Sequence, residues 1–558
     1  MLALLTACGA GQVGGGGATG STAPSDASPA SPGVVNSGQG GQEAAAPGND
    51  QLALLRLGML ADPDTLNPLT SIDGNAGHWF SAMSYPPLLL PDQNANPLPN
   101  LAERYEVSDD GLDVTFYLRG DLAWSDGVPF TSADVAYTKY LAGDLRLSNV
   151  LTTPLEAVEE VRTPDPRTVI FHLKSPTYTF VTAIGLRLPI VPKHIWEKMD
   201  DPKSFLNEED PVVMGPYRLR EFRRGEYYRF DLIKDNWPAA PDGARPAKEL
   251  LFRVYPDVNG LSLALQSGEI DLTARDIPYD IALQLEQKGY GLTQNISLGF
   301  THIGFQLENR FLADPTLRRA IAESLDKQTI LDFSMKGQGD VMDSIIAPIY
   351  RDYQGSDPAA KYPGLDPEKA RAELAAAGYQ DTDGDGILNA PGSGDNVSFN
   401  MLLTANDNAQ VNGAEIIARN LRDVGINLEI TPLERTTYIS RRLSRDFDSY
   451  LGSWGYMQAP QGDFVINYDA TSPVYFHAVE QPATAAAVRH MRSAVSEADL
   501  KDSIREFEIA MAADCMAIPL YAPRFFYAYD PKAIDNVRAY PSMVYGVMRG
   551  VLGITPAR

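Results

Sequence analysis

The stretch Trp124-Ser125-Asp126-Gly127-Val128-Pro129-Phe130-Thr131-Ser132-Ala133-Asp134-Val135 closes on Thr131 to Asp134. These four residues have the spacing of a capping box and predict a helix running to about Leu141. Upstream, Asp109-Asp110-Gly111 supplies turn chemistry. After that turn, Leu112, Val114, Phe116 and Leu118 alternate with Asp113, Thr115, Tyr117 and Arg119, the period of a half-buried strand. Downstream, Thr163-Pro164-Asp165-Pro166-Arg167 centres a second hairpin, with Val169, Phe171 and Leu173 on one face. Hairpin, helix and hairpin describe a compact α+β unit over about 91–211.

The flanking sequence has a different character. Leu52 to Gly58 reads as a buried strand, and Asp64-Thr65-Leu66-Asn67-Pro68-Leu69 as a turn. Beyond the unit, strands are predicted over Tyr227–Ile233 and Leu250–Tyr255, and a helix over Val258–Gln266 that Gly268 caps. After about residue 299 helices dominate. Pro315–Asp326 carries Leu317, Ala320, Ile321 and Leu325 on one face. Asp366-Pro367 starts another helix that ends at Gly378. A third, striped by Ile417, Leu421 and Val424, stops at Gly425 before the alternating strand Ile426–Ile430. Helix, short Gly turn and strand is the repeating element of an α/β fold.

The 558 residues suffice for several domains. With 44% hydrophobic and 21% charged residues the composition is that of a globular protein. A formal net charge of −25 argues against nucleic acid and anionic lipid as partners. The N-terminus stands apart. Leu5-Thr6-Ala7-Cys8 resembles the bacterial lipobox, in which the cysteine becomes diacylated, although the apolar run before it is short and lacks a basic n-region. From Gly9 to Asp50 the chain is built of Gly, Ala, Ser, Pro, Gln and Asn, too polar to offset its ordering entropy. Residues 1–50 therefore read as a lipoprotein signal remnant and disordered tether, with Cys8 as the lipidation site; an accidental match is the alternative.

Several motifs carry little. Asp381-Thr382-Asp383-Gly384-Asp385-Gly386 has calcium-loop spacing, but its twelfth position is Gly392 rather than a bidentate Glu. Asp381, Asp383 and Asp385 are weak metal candidates beside the plainer reading of an Asp/Gly surface turn, and no metal or cofactor is expected. Ser324-Leu325-Asp326-Lys327 matches S-x-x-K, yet no K-T-G accompanies it and it is expected to lie inside an amphipathic helix. Six scattered histidines form no H-E-x-x-H, and neither G-x-S-x-G nor G-x-x-x-x-G-K-[ST] occurs. Cys515, in an apolar context, reads as a small buried residue.

One loop has ligand-binding character. Leu451-Gly452-Ser453-Trp454-Gly455-Tyr456-Met457-Gln458-Ala459-Pro460-Gln461-Gly462-Asp463-Phe464 is too rich in Gly and Pro for regular structure, yet holds three aromatics and one carboxylate. It either lines a ligand cleft or plugs a satellite core.

In order along the chain, Leu66-Asn67-Pro68-Leu69, Pro99-Asn100-Leu101-Ala102-Glu103, Trp124 to Val135, Val191-Pro192-Lys193-His194-Ile195-Trp196, Gly215-Pro216-Tyr217, Gly268-Glu269-Ile270-Asp271 and Asp366-Pro367-Glu368-Lys369-Ala370 resemble the family 5 extracellular solute-binding proteins of ABC transporters, the dipeptide- and oligopeptide-binding group. The resemblance implies an α/β, two-lobed, periplasmic-binding-protein type II-like fold with an additional inserted α+β domain, three domains in all. Lobe 1 would comprise 51–90, 212–298 and 528–558, the inserted domain 91–211, and lobe 2 299–527, with hinge crossings near 298 and 527.

It further implies a non-enzymatic, monomeric protein outside the cytoplasm, touching the membrane through its lipid alone. Such a protein would deliver a peptide or other small solute to ABC permease subunits. A buried ligand ammonium needs a counter-charge. Family members place an Asp after G-W for this, and Asp463 is the nearest match, with Trp454 and Tyr456 as apolar walls. The family's loop often reads D-P-D after the Trp, whereas Gln458-Ala459-Pro460-Gln461-Gly462 precedes Asp463 here. Sugars, chelated nickel and opines therefore stay open as ligands, as do a surface hydrolase and a sensor or chaperone-like role.

Overall fold

The structure, a computed structural model, describes residues 51–557 apart from 72–75, 93–95, 149–150, 178–179, 236, 238–244, 454–463, 465–466, 473–474 and 540–549. The chain opens with strand β1 (Leu55–Met59), helix α1 (Ala76–Ser84) and the short strands β2 (Leu89–Pro91) and β3 (Pro97–Pro99). Next come β4 (Ala102–Val107), β5 (Asp113–Leu118), α2 (Ser132–Lys139), α3 (Thr152–Glu156), β6 (Val158–Asp165), β7 (Thr168–Leu173) and α4 (Lys193–Trp196). β4, β5, β7 and β6 form an antiparallel four-stranded sheet in that order, which is the α+β insert. Helix α2 hands over to a π-type turn at Tyr140–Asp144.

The chain then returns through β8 (Tyr217–Arg223), β9 (Tyr227–Leu232), β10 (Glu249–Val254), α5 (Val258–Ser267), β11 (Leu272–Thr273), α6 (Tyr279–Gln287) and β12 (Gly291–Ile296). A second series follows: β13 (Thr301–Phe305), α7 (Pro315–Ser324), α8 (Lys327–Met335), β14 (Gly339–Val341), α9 (Pro367–Ala376), β15 (Ser398–Thr404), α10 (Asn408–Asp423), β16 (Asn427–Leu433), α11 (Arg435–Leu443) and β17 (Ser449–Ser453). It ends with α12 (Pro482–Ser493), α13 (Glu497–Asp514), the thirteen-residue β18 (Ala517–Tyr529), and β19 (Ile534–Asp535) paired with β20 (Thr555–Pro556).

One twelve-stranded sheet joins the two lobes in the order β16-β15-β17-β13-β18-β11-β1-β10-β9-β8, with β12 and β14 also on β18. One apolar core runs from Leu55 to Ala274 and recovers Ile534 to Ile554; it is continuous through the insert, where Val114, Phe116 and Phe171 contribute to it. A separate core runs from Leu298 to Ala522. A third cluster packs α5 and α6 on Phe526 and Ala528 of β18.

The motifs that carry the family resemblance are joints of this scaffold. Asn67 donates its amide to the carbonyls of Pro202 and Phe205, at 3.0 and 2.9 Å. Asn100 donates to Pro87 O and accepts from Trp237 Nε1. The Asp134 carboxylate accepts the Thr131 and Lys193 amides, both at 2.9 Å, tying the start of α2 to that of α4. Asp126 holds His194 at 2.7 Å. A side chain at Gly215 would collide with the Met83 carbonyl, so only Gly fits there. Asp271, almost fully buried, takes both the backbone amide and the guanidinium of Arg56, cross-linking β1 to β11.

One sequence expectation needs correction. The S-x-x-K residues do not lie inside one helix. α7 ends at Ser324, Leu325 is extended, and Asp326 caps a new helix by accepting the Thr329 amide. Ser324 Oγ donates to Ile321 O and Lys327 Nζ to Met342 O, so neither serves the other. Cys515 is fully buried, as its context suggested, and burial pushes its thiol up to about 11.

Lys234 Nζ donates to Ala123 O and Met214 O, each at 2.6 Å, joining the insert to lobe 1; burial lowers the ammonium to about 8. Lys234→Met leaves both carbonyls without this donor and is expected to lower stability by about 2–3 kcal/mol in denaturant unfolding. In lobe 2, His302 and His477 are buried, and burial depresses both imidazoles, His477 to about 4. An unfolded His takes up its proton near pH 6.5. Stability should therefore fall as pH drops from about 6.5 toward 4, because the unfolded chain binds protons first. Melting curves of a His302→Gln, His477→Gln variant should show a shallower pH slope across that window.

Candidate ligand cleft

Strand direction locates the cleft. β15, β16 and β17 are parallel, β13 lies antiparallel to β17 and β18, and so β18 runs with the parallel set. Past Tyr521, β18 leaves this group and pairs with β14, then β12, then β11. β1, β10 and β11 are parallel to one another and run against β18. The C-terminal ends of the parallel strands in each lobe thus point at the other lobe. Ligands of open α/β sheets bind at the carboxyl ends of the strands. Two such edges face each other here, bridged by β18 and by residues 297–300 between β12 and β13.

On the lobe 2 edge, Thr301 Oγ1 and Ser453 Oγ are hydrogen-bonded at 3.0 Å across paired strands. Tyr521 is the next partner of Thr301; burial pushes its phenol up to about 12, against the pull of the Ser334 and Thr301 hydroxyls. After β15, Asp407 caps α10 by accepting the Gln410 amide, and burial raises its carboxyl above the usual range. After β16, Arg435 opens α11; burial lowers its guanidinium while the charge of Asp407 supports it. Behind β17, Arg442 sits among aromatic rings, its Cζ 4.0 Å from the Tyr450 centroid and 4.4 Å from that of Phe476. The Tyr438 hydroxyl donates to Leu451 O at 2.8 Å. This cation–aromatic packing braces the strand that ends at Ser453.

On the lobe 1 edge, Arg275 and Asp276 follow β11 after one residue, Ala274. Their ion pair, Nε to Oδ1 at 2.9 Å, is 14% and 10% exposed. Tyr527 of β18 lies beside it: burial raises its phenol, the Asp276 charge adds to this, and Arg275 and the Asn295 amide oppose it. The edge is a low-dielectric, charged surface, where electrostatic interactions are strong.

The three ligand residues expected from sequence, Trp454, Tyr456 and Asp463, lie outside the described residues, as does Cys8. The start of their loop, Ser453, is on the cleft edge. Asp381, Asp383 and Asp385 come together with carboxylate oxygens within 4.8 Å, all exposed. They are engaged by their own turn: Asp381 accepts the Gly384 and Gly386 amides, and Asp385 the Ile387 amide and the Asn396 side chain. Arg275, Asp276 and Tyr527 were missed in the sequence. A charged dipeptide one residue after Leu272-Thr273 is the available signal, but a two-residue strand is too short for its period to be read.

These paired edges define a two-lobed binder, and the comparisons agree. The model of the bacterial extracellular solute-binding proteins, family 5, matches residues 96–476, so the chain belongs to that family. The oligopeptide-binding protein AppA of Bacillus subtilis is 24% identical over 504 residues, 87% of this chain and 89% of that protein. Its solved structure, in complex with a nonapeptide, superposes with a TM-score of 0.69 at 21% identity, covering 91% of this chain and all of that one. A periplasmic oligopeptide-binding protein of Thermotoga maritima gives 0.79 at 22% identity over 90% of this chain and 99% of the other, and its mannohexaose-bound form gives 0.71, covering 90% and 98%. NikZ from Campylobacter jejuni, in complex with Ni(L-His), gives 0.72 at 21% identity over 90% and 99%. The family serves as the solute-binding component of ABC transporters, outside the cytoplasm. Among the described residues no helix is long and apolar enough to cross a membrane.

Arg275→Met and Asp276→Leu should each remove the ion pair of the lobe 1 edge and lower stability in denaturant unfolding. The double variant should recover part of the loss, with a coupling of about 0.5–3 kcal/mol. Strict additivity would mean that the two charges do not support each other.

Proposed function

We propose that this protein captures a short peptide between its lobes and delivers it to an ABC permease, acting as a carrier and not an enzyme. The observation that supports it most is the pair of opposed strand-end edges in a chain of this family. In this reading the ammonium of the peptide meets Asp463, while Trp454 and Tyr456 wall the side-chain pockets, where trapped water tolerates varied side chains. Thr301, Ser453 and the Arg275–Asp276 edge supply polar contacts. Ligand stabilises the closed state because it touches both lobes. A lipid on Cys8 and the tether up to residue 50 hold the protein at the outer face of the cell membrane, two acyl chains being enough for a stable anchor.

Mass spectrometry of protein purified from its host and gently denatured is expected to release peptides, and a peptide pool should raise the melting temperature; no released solute and no shift would overturn the peptide reading. Asp463→Asn should weaken peptides with a free amino terminus far more than acetylated ones. Equal weakening of both would remove Asp463 from that role. The altered spacing before Asp463 favours a second reading, a non-peptide solute such as a sugar or metal chelate. Released glycan or metal in the same mass spectrum would establish it.

A further inference from the structure

The two lobes also meet outside the β18 bridge. The tip of the β4–β5 hairpin closes on Gly111, whose amide donates to Ser108 O at 2.8 Å. Gly111 has a φ of 69°, and a β-carbon built on it would stand 2.9 Å from Pro176 Cβ and 3.4 Å from Val495 Cγ1. Pro176 belongs to the insert, whereas Val495 lies in the turn between α12 and α13 of lobe 2. That turn is rigid. The Val495 amide donates to Asp499 Oδ2 at 2.9 Å, and His490 of α12 bonds Asp499 and Glu506 of α13, each at 2.9 Å. One residue pair further along, the Glu497 carboxylate acts on the half-buried Tyr105 phenol of β4, adding to the larger effect of burial in raising it. Val495 is still 41% exposed, so the seat is shallow, as befits a contact that opens.

We infer that the hairpin tip of the insert is a latch: seated on the α12–α13 turn, it holds the lobes together and slows ligand escape. This gives the inserted domain a role in closure, and it rests on the two-lobed capture proposed above. The fit at Gly111 explains the residue, since any side chain there would meet both Pro176 and Val495 and would be strained at that φ. The tip also carries Asp109 and Asp110, and Glu497 and Asp499 stand in the same turn as Val495, so a further negative charge at Val495 adds repulsion where a positive one adds attraction.

That asymmetry supplies the test. Val495→Asp and Val495→Lys remove the same methyls but place opposite charges against the acidic tip. In small-angle scattering of the ligand-free full chain at low salt, Val495→Asp should enlarge the radius of gyration, and Val495→Lys should leave it equal to or below that of wild type. The difference should fade in 1 M salt, where charges are screened beyond ~3 Å. A tryptic casein pool bound beforehand should dissociate about tenfold faster from the Asp variant than from the Lys variant. Melting temperatures should match. Unchanged radii in both variants would overturn the latch, as would equal shifts accompanied by a lowered melting temperature, which is a folding effect. The scattering arm needs no ligand, so it fails or succeeds independently of the peptide reading.

Discussion

A single strand sets the geometry of this protein. β18 runs thirteen residues from Ala517 to Tyr529, pairing with β13 and β14 in one lobe and with β12 and β11 in the other. Because it belongs to both groups of strands, its direction fixes which ends of the remaining strands face inward. The parallel sets of the two lobes then turn their carboxyl ends to each other, and those are the ends from which loops and helix starts project. A cleft between the lobes follows from strand polarity before any side chain is considered. The bridge is also tied to the segments beside it. Residues 297–300 lie beside β18, with the Ser297 amide donating to Pro523 O at 2.9 Å, and Arg524 is held by Asp340 at 2.7 Å.

The residues that make the family legible and the residues that face the cleft are largely different sets. Asn67, Asn100, Asp126, Asp134, Gly215 and Asp271 satisfy buried backbone groups or joints between segments far apart in sequence. Each has little freedom to vary, because an unfilled partner in the interior is costly. Thr301, Ser453, Tyr521, Arg275 and Asp276 stand at the strand-end edges.

The same division decided what could be read from the chain alone. The hairpins at Asp109–Gly111 and Thr163–Arg167, the capped helix at Thr131 and the helix–Gly–strand unit around Gly425 rest on local chemistry, and local chemistry survives into the structure. The break at Leu325 did not show, since an apolar residue between two amphipathic turns continues the helical period without interruption. Nor did the Arg275–Asp276 edge, whose meaning depends on a β11–β18 pairing 257 positions apart in sequence, from Leu272 to Tyr529. Asp463, Trp454 and Tyr456 were nominated from the composition of their loop and its place in the motif order, and their part in binding stands as the proposal made above.

The central claim is that solute is enclosed between the two opposed strand-end edges. A crystal structure of the protein purified from its own host addresses it most directly. The account predicts density for a bound solute between the lobes, in contact with the loop that follows Ser453 and with the Arg275–Asp276 edge. Solute bound elsewhere on the surface, with those two edges in contact only with water, would contradict it.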